Sequence, residues 1–317
     1  MNLNARVVIP DIDLDRAGWL AARRDCMTSS KIATVAGLNA YCSPLEAWAR
    51  DTGKSAEENF DTSPNKELMQ FGSYVEPFVL SLAAARIGAE VQQCRSFFRS
   101  NRHEVAGTSP DGFAIMSGRP PEVVEAKSAT GRSLRMWEGG APEHYQIQLQ
   151  WHLGTLGLQT GWLVALLGGD PRNTALYRYD ADPEIFGSLL EIADYYMKCV
   201  REDTPPETIQ ARDNTLVNDL YKKIKGEEIR FDAGDIVAEQ IDQLLEVKAA
   251  LKTLNAEVEE KDTLRKELEA RLKIRMGSAQ LGYCRGTELK VVDIHVKEKT
   301  VKAYDFTRLY LKQTEGE

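Results

Sequence analysis

Cysteine is scarce in this sequence, and the few copies are not grouped. The chain of 317 residues contains five scattered cysteines without a CxxC pair: Cys26, Cys42, Cys94, Cys199 and Cys284. An odd and dispersed set of thiols argues against a disulfide framework and against a zinc or iron–sulfur site. Free thiols are typical of a reducing compartment, so we predict a cytoplasmic protein.

The sequence also lacks long apolar runs and a net positive charge. No stretch approaches the ~20 apolar residues that span a bilayer, and the first residues, MNLNARVVIPDIDLDR, do not form a signal pattern. We therefore expect no membrane association. The net charge of −8 and the pI of about 5.3 argue against a generally basic nucleic-acid coat. Nucleic-acid binding stays possible, because phosphate is attracted by local potential and not by the sum of charges.

The most informative stretch is residues 107–127, GTSPDGFAIMSGRPPEVVEAK. Its apolar residues predict two short strands, over 113–116 and 123–127, joined by a turn that contains Gly and Pro. Side chains alternate along a strand, so Glu125 and Lys127 share one face. If the two strands pair as a hairpin, Asp111 lies beside Glu125.

Two carboxylates next to an ammonium group suit a hard divalent cation. Mg²⁺ binds through one or two carboxylates and keeps several waters, one of which Lys127 could orient or deprotonate. Metal-assisted hydrolysis of a phosphodiester is the chemistry that this set favours. The alternative is a surface hairpin with ordinary charges, because a chain rich in charge contains many such spacings.

Helical periodicity and turn residues outline the surrounding elements. The pattern predicts strands over 91–99, 162–167 and 175–179, and helices over 15–36 with an internal turn, 41–50, 66–87, 142–161 and 183–201. Strand 91–99 is expected to complete a three-stranded meander with the hairpin, and residues 52–65 are expected to form a loop. Gln148 and His152 lie one helical turn apart. His152 is predicted to be a packing histidine.

Other polar side chains in these helices are open to two interpretations. Thr28 and Ser30 stand near the start of a helix, where they act either as caps or, together with Arg23, as an anion site. Glu76 lies between apolar residues of the helix over 66–87. It either partners a buried base or amide, or faces the metal.

Four blocks of sequence resemble a known nuclease family. They are WLAARRDCMTSSKIA, FGSYVEP, TSPDGF followed by VEAK, and HYQIQLQWHLGTLG. In this order they are similar to the PD-(D/E)XK nuclease fold and, within it, to the YqaJ or lambda-exonuclease branch of phage-type recombination exonucleases. The likeness covers about residues 15–201 and implies an α/β core, a central mixed sheet flanked by helices. The chain departs from the family at Asp25, where Gly is common, and in a longer spacer between Asp111 and Glu125.

The resemblance implies a role for individual residues. The ligands of Mg²⁺, or of Mn²⁺, would be Asp111, Glu125 and the backbone carbonyl of Ala126, with Glu76 helping to bind a second ion. The attacking water would be positioned and activated by Lys127 and Gln148. The terminal 5′-phosphate would be held by Arg23, Thr28, Ser30 and Ser109.

The resemblance also implies an activity. It predicts a processive, Mg²⁺-dependent 5′-to-3′ exonuclease on double-stranded DNA ends, which leaves 3′ overhangs for recombination with a single-strand annealing protein. A homotrimeric ring around DNA would keep hold of the substrate without a basic surface. The alternatives are an endonuclease and a catalytically silent DNA-end-binding protein of the same fold. A Cas4-type nuclease is disfavoured, because the chain lacks that family's cysteine cluster.

The chain changes character after Pro205 and Pro206, so we predict a nuclease core over residues 1–205 and an accessory region over 206–317. Residues 240–276 contain no Gly or Pro and carry a coiled-coil-like apolar stripe, which favours one long helix. Short strands are expected over 281–284, 289–296 and 300–303. Four lysines there either meet DNA or are solvated: Lys290, Lys297, Lys299 and Lys302. The role of the region, in assembly, DNA guiding or partner docking, stays open.

Overall fold

The structure is a computed structural model that describes residues 3–39, 41–55, 66–222, 227–232, 236–285 and 287–290. The chain divides into two compact units, Met1–Lys222 and Lys223–Glu317. All the predicted site residues lie in the first unit. The functional division at residue 205 stays a prediction.

The first unit alternates helices and strands. It opens with β1 (Ala5–Ile9), α1 (Arg16–Arg24), β2 (Met27–Thr28), α2 (Ser29–Val35), α3 (Pro44–Asp51) and α4 (Lys66–Ile87). Its middle part consists of β3 (Glu90–Gln93), β4 (Phe97–Ser100), β5 (Ala106–Thr108), β6 (Gly112–Ile115) and β7 (Glu122–Ala129). It closes with α5 (Glu143–Leu156), β8 (Thr160–Leu167), β9 (Thr174–Asp180), α6 (Pro183–Arg201) and α7 (Asn214–Leu220).

Five strands form a mixed sheet in the order β3-β6-β7-β8-β9. Strands β6 and β7 are antiparallel, whereas β7 and β8 are parallel. Gly112 is paired with Val124, so one further step along both strands brings Asp111 opposite Glu125. The predicted hairpin and the approach of the two carboxylates are confirmed.

Helices cover both faces of this sheet. Val79 of α4 and Val124 of β7 belong to the buried cluster on one face. Leu149 of α5 and Val123 of β7 belong to the buried cluster on the other face. Because β7 is packed on both sides, the carboxylate that it carries is held in one place. The predicted class, a mixed α/β sheet flanked by helices, is confirmed.

A second sheet has the order β1-β4-β5-β2, and it explains why the prediction of one strand over 91–99 is wrong. The chain leaves the first sheet after Gln93 and enters the second at Phe97. Phe97 and Phe98 are both buried but serve different clusters, Phe97 beside Cys26 and Phe98 in the cluster that contains Leu149. The strand Phe97–Ser100 therefore lies between two cores. Only the Glu90–Gln93 part completes the meander, by pairing with β6.

Two other predictions need correction. The helix expected over 142–161 ends at Leu156, because Gly157 takes a left-handed conformation with φ of 70° and stops it. The following strand consequently begins at Thr160. Strands β1 and β2 were not predicted. Strand β1 exposes two of its four apolar side chains, Val7 and Val8, and β2 has two residues, so neither gives a periodic signal.

Several boundaries agree with the sequence. Helices α4 and α6 have the predicted bounds. Helix α3 begins with a capping box in which the Ser43 side chain accepts from the N–H of Glu46 and the Glu46 carboxylate accepts from the N–H of Ser43. Of the predicted loop over 52–65, residues 56–65 lie outside the described part of the chain.

The second unit contains a long helix, α8 (Ile236–Met276), and a hairpin of β10 (Leu281–Cys284) with β11 (Thr287–Lys290). The helix has 41 residues and confirms the prediction from the stretch without Gly or Pro. Its apolar stripe, including Val247, Leu251 and Leu254, is exposed. The predicted strand over 300–303 and the part of 289–296 beyond residue 290 lie outside the described residues, as do Lys297, Lys299 and Lys302.

Within the described ranges, none of the helices combines the length and the apolar character that crossing a membrane requires.

Candidate active site

A cavity of about 220 Å³ opens where the two sheets meet α1, α2, α4 and α5. Its lining carries charged and polar side chains from all of these elements: Arg23, Ser30, Glu76, Arg95, Ser109, Asp111, Glu125, Lys127 and Gln148. Eight of the ten predicted site residues are in this set. The other two, Thr28 and Ala126, lie directly beside it in the chain or in space. The cavity is therefore the place to assess the predicted chemistry.

Asp111 stands in the turn that leads into β6, and its side chain is fixed by β7. Its Oδ2 accepts a hydrogen bond of 2.8 Å from the backbone N–H of Ala126. In an extended strand the N–H and C=O of one residue point to the same side. The pairing of β6 with β7 ends at Gly112 and Val124, so β6 does not cover Ala126. The carbonyl of Ala126 therefore lies on the same side of β7 as Asp111.

Glu125 is the most enclosed of the acidic side chains in the cavity, with 1% of its side chain exposed. Its Oε1 accepts from the ammonium of Lys127 and, at 2.6 Å, from Nε2 of Gln148. Lys127 follows on the same face of β7, as predicted, and Gln148 reaches across from α5. Strand β7 and helix α5 thus each supply one donor to the same carboxylate oxygen.

The electrostatics of these buried groups are strongly coupled. Burial opposes ionisation of Glu125, but the neighbouring Lys127 and His152 outweigh it and lower the pKa of Glu125 to about 2. Burial and the charge of Glu125 raise the pKa of Asp111 well above its usual value. Burial lowers the pKa of Lys127, yet the charges of Glu125 and Asp111 outweigh this effect and raise it. Glu125 and Lys127 are therefore a firm ion pair.

The donor set fits a hard divalent cation in kind. Asp111 and Glu125 offer carboxylate oxygens at one wall of the cavity, and two carboxylates in a buried position favour a positive charge between them. In the part of the chain that the structure describes, no three Asp, Glu, His or Cys side chains are grouped closely enough to enclose an ion alone. Mg²⁺, which commonly completes its shell with water and substrate oxygens, is the cation that such an open set suits.

Glu76 reaches the same cavity from α4. Its Oε1 accepts from Nε2 of Gln93 at 3.0 Å and lies 4.0 Å from the guanidinium of Arg95. The amide partner of Glu76 is exposed, so the interpretation with a buried base or amide is wrong in that respect. Glu76 lines the cavity, and its contact with a metal stays a prediction. Its negative charge contributes to the raised pKa of Asp111.

The opposite wall of the cavity carries the predicted anion site. Arg23 donates to Ser30 Oγ at 2.9 Å, and Thr28 Oγ1 lies 3.3 Å from the same hydroxyl. Thr28 is almost fully buried and therefore supports Ser30 from below. Burial lowers the pKa of Arg23, as expected for a cation that is not ion-paired to a carboxylate in the described contacts.

Two buried polar atoms on this wall have no hydrogen-bond partner among the described residues, Ser109 Oγ and Trp19 Nε1. Both side chains line the cavity. A buried donor without a partner is costly, so a ligand with acceptor oxygens would remove two such costs at once. The guanidinium of Arg23 lies over the Trp19 ring, 4.5 Å from its centroid, which orders the arginine.

Residues 18–161 match the family model of the YqaJ-like viral recombinase domain. This span includes the four sequence blocks and all the cavity residues named above. Residues 18–161 are therefore similar to the YqaJ-like viral recombinase domain. The family resemblance that the sequence blocks indicated is confirmed.

Solved structures resemble this chain more distantly. The crystal structure of an alkaline exonuclease (LHK-Exo) from Laribacter hongkongensis is 19% identical, with a TM-score of 0.47, over 58% of this chain and 92% of that one. Its complex with dAMP gives 18% identity and the same coverage. A phage-related exonuclease from Haemophilus somnus 129PT is 12% identical, with a TM-score of 0.37, over 56% of this chain and 96% of that one. TM-scores below 0.5 establish no common activity. Comparison with curated protein sequences gives no significant match.

Three residues near the cavity are absent from the site that the sequence predicts. Trp19 lies four residues before Arg23, so the two share one face of α1, and the Trp19 side chain lines the cavity. His152 is buried and hydrogen-bonded to Thr108, as predicted for a packing histidine, but it also contacts the carboxylate of Glu125. Arg95 stands in the segment between β3 and β4, which the prediction treated as one continuous strand.

Proposed function

We propose that this chain is a Mg²⁺-dependent, processive 5′-to-3′ exonuclease that acts on double-stranded DNA ends and leaves 3′ overhangs. The observation that supports it best is that one cavity combines a carboxylate and lysine wall with an anion-accepting wall. The first wall carries Asp111, Glu125 and Lys127, and the second carries Arg23 and Ser109. In such a cavity the scissile phosphodiester would lie at the carboxylate and lysine wall, and the terminal phosphate would lie at the anion-accepting wall.

Asp111, Glu125 and the carbonyl of Ala126 would hold the first cation, and Glu76 would help to hold a second. Mg²⁺ or Mn²⁺, when bound, would supply Lewis-acid charge at the scissile phosphate and a more acidic water. The side chains of the protein would hold the cation and the substrate in place. Residues that are already fixed in the fold need no reorganisation during the reaction.

Lys127 and Gln148 are the groups of this chain that would act on the attacking water and on developing negative charge. Both are donors that point to the Glu125 side of the cavity. An ammonium that keeps its proton, as the raised pKa of Lys127 indicates, is suited to stabilise the extra negative charge of the pentacoordinate phosphorus. The amide of Gln148 would orient the water without taking up a proton.

The terminal 5′-phosphate would be held by Arg23, Ser30 and Ser109, with Thr28 supporting Ser30. Arginine binds phosphate through two parallel N–H donors, and the unpartnered hydroxyl of Ser109 supplies a third donor. A pocket that fits a terminal phosphate favours cleavage at an end over cleavage within a duplex, so it argues against an endonuclease.

The acidic net charge of −8 requires another way of keeping hold of DNA. We propose a homotrimeric ring around the duplex, which would give processivity through topology and not through a basic surface. A single-strand annealing protein would take over the 3′ overhang. Residues 206–317 would serve this assembly, guide DNA or dock the annealing protein.

A second candidate function, a catalytically silent DNA-end-binding protein, is favoured by one observation. The oxygen of Glu125 that faces the cavity already accepts from both Lys127 and Gln148. If Lys127 and Gln148 keep their hydrogen bonds to Oε1 of Glu125, this oxygen cannot bind a cation. The metal site then has one carboxylate ligand fewer. Such a protein would bind ends without turnover.

Digestion of linear and of covalently closed circular duplex, with Mg²⁺ and with chelator, separates these candidates. The proposal expects loss of linear DNA only, with Mg²⁺ only, and release of nucleotides from the 5′ end of a labelled strand. Linearisation of the closed circle would indicate an endonuclease. Retention of linear DNA in a mobility shift without any digestion would indicate the silent protein.

A further inference from the structure

Two buried side chains that the proposed reaction does not use directly, His152 and Thr108, form a line with Glu125. Nε2 of His152 lies 3.0 Å from Oε2 of Glu125, and Nδ1 of His152 lies 2.5 Å from Oγ1 of Thr108. His152 and Thr108 are fully buried, and Glu125 is 1% exposed. The line joins α5 and β5 to the carboxylate on β7.

The hydrogen bonds along this line can all be made with a neutral imidazole. The Glu125 carboxylate has only acceptors, so the ring proton belongs on Nε2. Nδ1 is then an acceptor, and the hydroxyl of Thr108 donates a hydrogen bond to it. The tautomer of a histidine is set in this way by the partner of its second nitrogen. Every member of the line therefore has one defined role.

The contact between Nε2 of His152 and Oε2 of Glu125 determines how the carboxylate is oriented. Oε2 of Glu125 and Nε2 of His152 are both buried without a well-aligned hydrogen bond among the described residues, and they lie 3.0 Å from each other. Oε1 of the same carboxylate faces Lys127 and Gln148 at the cavity. A rotation of the carboxylate would lose donors on both sides, so His152 fixes which oxygen is turned to the cavity.

We propose that His152, supported by Thr108, is a positioning residue that holds Glu125 with Oε1 toward the cavity and so sets the affinity of the site for its divalent cation. This inference depends on the metal site under the proposed function. Groups that hydrogen-bond to metal-ligating side chains commonly change metal affinity or activity about 10–100-fold when they are removed. Structural packing alone would not link His152 to metal binding.

The test measures Mn²⁺ binding to the full-length protein without DNA, by electron paramagnetic resonance of free Mn²⁺ in a titration. His152→Leu removes the donor, and His152→Gln keeps an N–H in a similar place. Thr108→Val removes only the hydroxyl that fixes the ring. Thr155→Val is the matched control, because Thr155 is buried on the same helix and its hydroxyl has no partner among the described groups. Thermal unfolding of each variant reports folding.

We expect His152→Leu to weaken Mn²⁺ binding about 10–100-fold and His152→Gln to retain most of it. Thr108→Val should weaken binding by less than His152→Leu, and Thr155→Val should not change it. DNA digestion by His152→Leu should recover as Mn²⁺ is raised, so the metal concentration for half-maximal rate shifts more than the maximal rate.

Unchanged Mn²⁺ affinity in a folded His152→Leu protein would overturn the inference while leaving the metal site intact. If His152→Leu does not fold, Thr108→Val decides, and affinity equal to that of Thr155→Val counts against the inference. If the unaltered protein does not bind Mn²⁺, or if Asp111→Asn binds it equally well, the proposed metal site fails and this inference fails with it.

Discussion

Lys127 and Gln148 donate to the same oxygen, Oε1 of Glu125, although one is on β7 and the other is on α5. The sheet and the helix that covers it thus meet at one acidic side chain. This arrangement places two donors and an anion at the edge of the cavity without any contribution from a loop. A change in either donor is therefore expected to affect the chemistry of the cavity.

Lys127→Ala should abolish DNA digestion and leave DNA binding intact. The ammonium stabilises charge at the reacting centre, and losing one such donor lowers turnover about 10²–10³-fold. Digestion of end-labelled linear duplex and a mobility shift measure the two properties. Lys54→Ala, which removes a lysine paired with Asp203 outside the cavity, should digest DNA at the original rate. A loss of binding in parallel with digestion would contradict this role for Lys127.

Arg23→Ala should slow digestion of 5′-phosphorylated ends more than that of unphosphorylated ends. The guanidinium is the permanent positive charge on the wall that carries Ser30 and Ser109, so its loss removes the preference for a terminal phosphate. The measurement is the ratio of the two digestion rates on otherwise identical duplexes.

Arg16→Ala is the matched control for Arg23→Ala. The Arg16 guanidinium lies at the same distance from the Trp19 ring, 4.5 Å from its centroid, and Arg16 is not in the cavity lining. It should leave the ratio unchanged. If the unaltered protein digests both kinds of end equally, the phosphate pocket is wrong.

Thr155→Val should stabilise the protein. The hydroxyl of Thr155 is buried and has no hydrogen-bond partner among the described residues, and valine has nearly the same shape. Removing an unsatisfied hydroxyl should raise the free energy of unfolding by about 1 kcal/mol, which corresponds to about 2–4 °C in a domain of this size. A lower melting temperature in differential scanning calorimetry would mean that the hydroxyl has a partner, such as a buried water.

Ser43→Ala should destabilise the protein. The buried hydroxyl of Ser43 accepts from the N–H of Glu46 at 3.0 Å and donates to Asp213 Oδ1 at 2.5 Å. Its removal costs a helix cap and leaves a buried carboxylate short of a donor, so the free energy of unfolding should fall by about 2 kcal/mol. Ser81→Ala, at an exposed serine of α4, should change it by less than about 0.5 kcal/mol. Equal effects of the two substitutions in urea unfolding would contradict the reading.

The parts of the site that follow from local rules could be predicted from the sequence. Alternation along β7 placed Glu125 and Lys127 on one face, and the turn between the strands returned Asp111 to Glu125. The capping signals of α3 and the periodicity of α4 were equally local. Each of these features depends on residues that are close in the chain.

The parts that depend on distant contacts could not be predicted. The change of sheet between Gln93 and Phe97 is set by two separate cores, and nothing in the segment itself marks it. His152 reads as an apolar-face histidine until β5 and β7 place Thr108 and Glu125 around its two nitrogens. The Trp19 indole is likewise identified as part of the cavity only when α1 is packed beside the second sheet.

A crystal structure of the protein with Mn²⁺, with the ion located by its anomalous scattering, tests the central claim most directly. The account predicts a manganese peak in the cavity, within coordination distance of carboxylate oxygens of both Asp111 and Glu125 and next to the ammonium of Lys127. A peak elsewhere, with these three side chains contacting no ion at saturating Mn²⁺, would contradict it.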